Sequence, residues 1–225
     1  MNQSIIYNQH KIDTACQGCF YALDKYHKAC QAFNEEKRRI AATPYVQQEQ
    51  ERMVNKAAET LSNTANGHYA EIKRRLEDIR SAAGEMENLL DIGEDLQNAL
   101  SVVKALGKDA TNETLWKLVE QFKGQRQALI ILKSSYEAAG VNAEHYFKGM
   151  IFSASNVLDD LDEQAYRIAS QPGDNMVVAV SFGDQLEKFA ESLGVQLTKK
   201  FRDIVDASDA FEARLRAAMG LGTAD

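Results

Sequence analysis

Four side chains favoured by soft metal ions lie within fifteen residues of one another: Cys16, Cys19, His27 and Cys30. A Cys3His set suits tetrahedral zinc, with thiolates supplying charge and the imidazole a neutral nitrogen. One ion can gather all four only if the chain turns between Cys16 and Cys19 and again before His27. Gly18 is the one turn-forming residue available, and Phe20-Tyr21-Ala22-Leu23 carries no turn signal. In a continuous helix the fourteen residues from Cys16 to Cys30 cover about 21 Å, which no single ion spans. All three cysteines also fall where a free thiol packs as a small apolar group. The core reading therefore outranks a zinc protein built on these four residues. Cys16 and Cys19 as a redox pair lack a βαβ context.

Other constellations are weaker. A carboxylate-bridged di-iron bundle needs two Glu-x-x-His pairs on separate helices. Here the only acid three residues before a histidine is Asp24, before His27. Asp159, Asp160, Asp162 and Glu163 form the densest acidic cluster. On a helix some of them share a face, but without a glycine-centred calcium loop they read as a solvated surface. No phosphate-cradling glycine loop, Gly-x-Ser-x-Gly elbow or His-Glu-x-x-His occurs. No catalytic residue, cofactor or small-molecule substrate is expected, and the chain reads as a non-enzyme.

The elements that hold these residues are helical. The 225 residues are 44% hydrophobic and 26% charged, enough apolar material for a packed core. Only two prolines occur, Pro44 and Pro172, leaving 127 proline-free positions between them. Ile12, Cys16, Cys19, Leu23, Tyr26, Cys30 and Phe33 step by four and three alternately, a heptad seam. They place one helix over about Asn8 to Ala42 and form the expected interaction seam. Thr43 followed by Pro44 reads as the N-cap and first residue of a second helix. That helix carries the stripe Met53, Ala57, Leu61, Ala65, His68, Ile72, Leu76, Ile79, Ala83, Met86 and Leu90. Gly67 and Gly84 are the positions where it could kink. The two helices make a long antiparallel, coiled-coil-like hairpin over residues 1–91.

Residues 92–225 read as a helical bundle. Asp91-Ile92-Gly93 is a break, followed by helices over Glu94–Leu106, Asn112–Phe122 (capped by Thr111) and about Gly124–Ala139. Asn142 is expected to cap one helix from Ala143 to Ser170, ended by Gln171-Pro172-Gly173. Two more span about Asn175–Leu193 and Val195–Met219. Met176 to Phe182 could be a strand in isolation, but helical continuity beyond it favours helix. Trp116, Phe122, Tyr136, Tyr146 and Phe147 are core candidates. Leu186, Phe189, Leu193, Leu197, Phe201, Ile204, Val205 and Phe211 form an amphipathic stripe that completes the bundle or docks on a partner helix. The fold class is all-α, and the tail 220–225 reads as frayed.

Net charge is −7, distributed as +1 over residues 1–50, −4 over 51–100, +2 over 101–150 and −6 over 151–225. No segment is strongly basic, so a nucleic-acid face is not expected. Lys37-Arg38-Arg39, Lys73-Arg74-Arg75 and Lys199-Lys200-Arg202 read as solvated helix faces. The start of the chain lacks a signal-peptide pattern, and no apolar run approaches the roughly 20 residues of a membrane span. With an odd number of cysteines, these features lead to the expectation of a cytoplasmic protein with free thiols.

The polar heptad helix ending in Ile40-Ala41-Ala42-Thr43-Pro44-Tyr45, with the Glu/Lys/Arg/Gln/Ala-rich helix after it, resembles small helical proteins encoded in the head-assembly regions of tailed bacteriophages and prophages. The resemblance covers about residues 10–90 and carries over no functional residue. It implies a scaffold or minor structural role, with a possible place in the virion. The leading expectation is a structural or assembly protein that self-associates through the hairpin, each buried seam side chain contributing roughly 1.5–3 kcal/mol. The alternative is an acidic helical binding module or inhibitor that presents residues 151–225 to a host or basic partner protein.

Overall fold

The computed structural model describes residues 3–88, 93–151, 154–170 and 176–204. Helix accounts for 85% of them and no strand occurs among them, which makes the fold all-α. The helices are α1 (Gln3–Ala42), α2 (Gln47–Asn88), α3 (Glu94–Leu106), α4 (Asn112–Glu120), α5 (Arg126–Ala138), α6 (Ala143–Phe147), α7 (Ala154–Ser170), α8 (Met176–Ser192) and α9 (Phe201–Ile204). At 1.5 Å per residue, α1 and α2 are each about 60 Å long. They form the expected antiparallel hairpin. Neither Gly67 nor Gly84 breaks α2, and a Cβ at either would meet nothing within 4 Å.

The hairpin turn is built differently from the expected Thr43–Pro44 cap. Thr43 Oγ1 donates to the Arg39 carbonyl at 2.8 Å, so the hydroxyl closes α1 instead of opening α2. The chain turns tightly at Pro44, where the Tyr45 amide donates to the Thr43 carbonyl at 2.8 Å, and the Val46 carbonyl accepts the first bonds of the next helix, from Glu49 and Gln50. The Gln50 amide reaches back to the Thr43 carbonyl at 2.9 Å, satisfying an acceptor that the end of a helix leaves open.

The chain divides into two compact units assembled from discontinuous stretches, a division other than 1–91 and 92–225. The first comprises Met1–Asp13, Asp78–Val157 and Phe189–Gln196. Its core gathers Leu96, Val103, Leu115, Val119, Phe122, Leu129, Leu132, Tyr136, Tyr146 and Phe147, with Trp116 packed against it half-buried. Tyr136 is fully buried and donates to the Leu115 carbonyl at 2.7 Å, and burial pushes its phenol far above the ordinary range. Thr111 caps α4 as expected, accepting from the Thr114 amide.

The single helix expected over 143–170 is two. Gly149 adopts φ +75°, a left-handed conformation that a non-glycine residue enters only at a cost, and α6 ends before it at Phe147. Asn142 makes no side-chain cap there. Glu87 instead accepts the Ala154 amide at 2.9 Å and caps α7.

The second unit comprises Thr14–Glu77, Leu158–Lys188 and Leu197–Asp225. Tyr26 Oη donates to the Ile168 carbonyl at 3.1 Å, and Tyr69 Oη to Asp162 at 3.2 Å, which ties the hairpin to α7. Phe20 packs on Phe201 with ring centroids 5.6 Å apart. Gly183 makes room for Phe201, whose ring would lie 2.5 Å from any Cβ placed there. The helix expected from Val195 begins only at Phe201. Glu187 accepts the Phe201 amide at 2.6 Å and Asp203 the Lys200 amide at 2.8 Å, which fixes the start of α9 there. Met176–Phe182 is helix, not strand. Leu90, the break at Asp91-Ile92, the stop at Gln171-Pro172-Gly173, Asn175, Val205, Phe211 and the tail 220–225 lie outside the described residues.

Candidate functional site

Within the second unit the heptad seam separates into a covered part and an open part. Cys16, Cys19, Leu23, Tyr26 and Cys30 are all buried, as is Ile12 at the neighbouring position of α1. Cys19 Sγ lies 4.0 Å from the Ile72 carbonyl of α2, and Tyr26 meets the His68 ring edge-on. Partners within the chain therefore cover these side chains, and they are not a surface for a second molecule. Phe33, the last seam residue, is only half-buried.

The four candidate zinc ligands are not brought together. Cys16, Cys19, His27 and Cys30 ride on one unbroken helix, so Cys16 and Cys30 stand about 21 Å apart along its axis. The three thiols are buried and free of disulfides, and the His27 ring pairs with the Gln31 amide at 2.9 Å. Among the described residues no three His, Cys, Asp or Glu side chains converge as a metal site. His68 is half-buried beside Tyr26, and burial first, then the Lys25 charge, lowers its pKa below the usual range.

The acidic cluster on α7 is already engaged in part. Asp162 accepts from Tyr69, and Glu163 pairs with Arg167 at 2.5 Å. Burial and the neighbouring Asp162 raise the Tyr69 pKa. Two of the basic runs are paired in part along their own helices, Arg39 with Glu36 and Arg74 and Arg75 with Glu71, whereas Lys199 of the third reaches Tyr21 Oη at 3.3 Å. The hydrogen bond with Arg74 is the main cause holding the Glu71 carboxyl below its ordinary range.

The open part of the hairpin carries a groove. From residue 31 through residue 60, thirty positions on both helices and their turn, Ile40 is the only buried side chain. Between α1 and α2 here lies an elongated depression of about 700 Å³. Its large apolar lining residues include Phe33, Met53 and Leu61, and its small ones include Ala29, Ala32 and Ala57. Thr60 and Thr64 also line it, and their hydroxyls donate to the Lys56 and Thr60 carbonyls, leaving the methyl groups for the surface.

Four charges rim the groove: Glu36, Glu49, Arg52 and Lys56. Glu49 is bound by both Arg52 Nε and Arg52 Nη2 at 2.9 and 2.8 Å. Glu36 is held the same way by Arg39 at 2.8 and 2.6 Å. These forked hydrogen bonds lower both carboxyl pKa values. A small ligand is usually oriented by a few convergent polar groups, and here the two rim acids are already satisfied, Glu36 by Arg39 and Glu49 by Arg52. At the turn, Tyr45, which also lines the groove, and the neighbouring Val46 are exposed (49% and 75%).

The sequence reading includes Phe33, Met53 and Ala57 but treats them as continuous with the buried seam. The distinguishing signal is Lys37, which occupies the heptad position between Phe33 and Ile40 and is exposed. Comparison with protein-family models, curated proteins and solved structures finds no match for this chain.

Proposed function

We propose that this chain is a non-enzymatic structural or assembly protein that self-associates through its helical hairpin, in the manner implied by its resemblance to phage head-assembly proteins. The observation that carries the reading is the half-covered hairpin. Thirty consecutive residues bury one side chain while Phe33, Met53, Tyr45 and Val46 remain partly or largely exposed. Helices of this length stay ordered in water mainly by packing an apolar face against other elements. A pair of helices with half-buried Phe and Met between them is an interface in search of one or two more. The contact falls on the outer hairpin instead of on Ile12 to Cys30, whose side chains are covered within the chain.

A cytoplasmic protein, free or built into a particle, goes with this role. No described helix is long and apolar enough to cross a membrane. Absolute mass by light scattering on the full chain, at rising concentration, tests the reading. Masses at multiples of 25.1 kDa are expected. A monomer at every concentration would remove self-association as the function.

A further inference from the structure

The groove at the end of the hairpin has features that select its occupant. Its lining mixes large and small side chains: Phe33 and Met53 have the bulk of knobs, and Ala29, Ala32, Ala57 and Thr60 are small enough to leave holes. On α1 the lining residues recur at three- and four-residue steps, and on α2 they do the same. That is the spacing by which one helix seats the side chains of another. A surface carrying both knobs and holes can complement itself under a two-fold rotation.

Charge points the same way. The chain as a whole carries −7, yet the rim of the groove has two acids and two bases, Glu36 and Glu49 against Arg52 and Lys56. A second copy brings the same neutral, mixed set, so like charges need not face one another. The pattern also ties the groove to the established packing, because Phe33 is the next heptad step after buried Cys30.

From these features, and resting on the self-association proposed above, we infer that the groove lined by Phe33, Met53 and Ala57 receives the same groove of a second copy of this chain. The two hairpin ends form an antiparallel four-helix bundle. In it Phe33 and Met53 of each copy fill the alanine and threonine holes of the other, and the open apolar surface between α1 and α2 is closed.

The test is sedimentation velocity on the full chain from about 1 µM to about 200 µM, a span that brackets micromolar association. Wild type is expected to reach twice 25.1 kDa. Phe33→Glu with Met53→Glu should weaken dimerisation by at least roughly 100-fold, as loss of central apolar anchors does. Helicity by circular dichroism should be retained. Ala32→Arg fills a hole from an exposed position and should have the same effect without altering a buried side chain. If the double variant loses helicity, Ala32→Arg decides. Tyr166→Glu, exposed on α7, should leave the mass unchanged. A wild-type monomer throughout overturns both this inference and the function it rests on. A dimer untouched by the folded groove variants overturns the groove alone and leaves self-association standing.

Discussion

Residues 12–30 and residues 31–60 belong to one hairpin, and α1 runs without a break from the first stretch into the second. In the first, ten of nineteen side chains are buried; in the second, only Ile40 is. Backbone hydrogen bonding does not explain the difference, because both stretches are helical apart from the turn. Cover does. Within the second unit α7 and α9 supply Ile168 and Phe201 to the inner hairpin, and Gly183 of α8 makes room for the Phe201 ring, whereas the outer part has its sister helix and its own ion pairs. Exposed pairs such as Glu36–Arg39 and Glu49–Arg52 hold side-chain geometry but add little stability. A continuous helix can thus be core at one end and interface at the other, and substitutions along it should separate the two.

The widest separation is expected between two phenylalanines. Phe20 is fully buried against Phe201, so Phe20→Ala should cost about 3–5 kcal/mol. Phe33→Ala, at a half-buried site, should cost the isolated chain less than about 1 kcal/mol. Urea unfolding at low protein concentration measures both. Equal costs would mean that the outer hairpin is as well covered as the inner one.

Two glycines give the next contrast. Gly183→Ala drives a methyl to within 2.5 Å of the Phe201 ring and should cost about 1–3 kcal/mol, because overpacking forces the ring or the helix to move. Gly67→Ala meets nothing within 4 Å in the middle of α2. It should stabilise by about 0.5–1 kcal/mol through helix propensity and a less disordered unfolded chain. Thermal melts of the two variants should move in opposite directions, and a shift of the same sign would break the comparison.

How much of this was legible in the sequence follows from the range of the forces involved. The seam from Ile12 to Phe33 announces itself because heptad spacing is a property of one helix and needs no knowledge of its partner. The ends of α3 and α4 follow from Gly107 and Thr111, whose effects are equally local. What failed was decided by competition between local partners or by distant groups. Thr43 has the chemistry of an N-cap, but its hydroxyl found the Arg39 carbonyl first. Gly149 interrupts the helix after Tyr146 and Phe147, which are buried in a core that residues as far away as Leu96 help to build. The start of α9 is set by Glu187, fourteen residues upstream. The groove was half legible: Lys37 in a seam position marks where cover ends, but only the placement of α7 to α9 shows which seam residues are left uncovered.

A smaller effect is expected at His68, where cover begins. Burial and Lys25 lower its pKa, so the folded chain binds its proton less readily than the unfolded chain does. Stability should therefore be undiminished above the unfolded value of about 6.5 and decline as pH falls below it towards the folded pKa. Because the ring is half-exposed, the decline should be shallow. His68→Phe keeps the edge contact with Tyr26 and should flatten the pH dependence of the unfolding midpoint just below about pH 6.5. An unchanged slope would assign the titration to another group.

The least effect is expected from the rim of the groove in the monomer, and this sharpens the comparison most economically. Glu49 and Arg52 form a forked pair at 2.8 and 2.9 Å, but both side chains face solvent. Removing the charges with Glu49→Gln and Arg52→Gln together keeps the rim neutral and the long side chains in place. The melting midpoint at low protein concentration should stay within error of wild type, at both low and high salt, because exposed pairs are screened and repaid by water. Replacing only Glu49 with Lys leaves the rim with a surplus of positive charge on each copy. If two copies meet there, that variant should dissociate more readily at low salt than at high salt, while its monomer melts as before. A midpoint that moved with the rim charges in the monomer itself would show that the outer hairpin depends on them for its fold, and the division between core and interface along α1 would then be drawn in the wrong place.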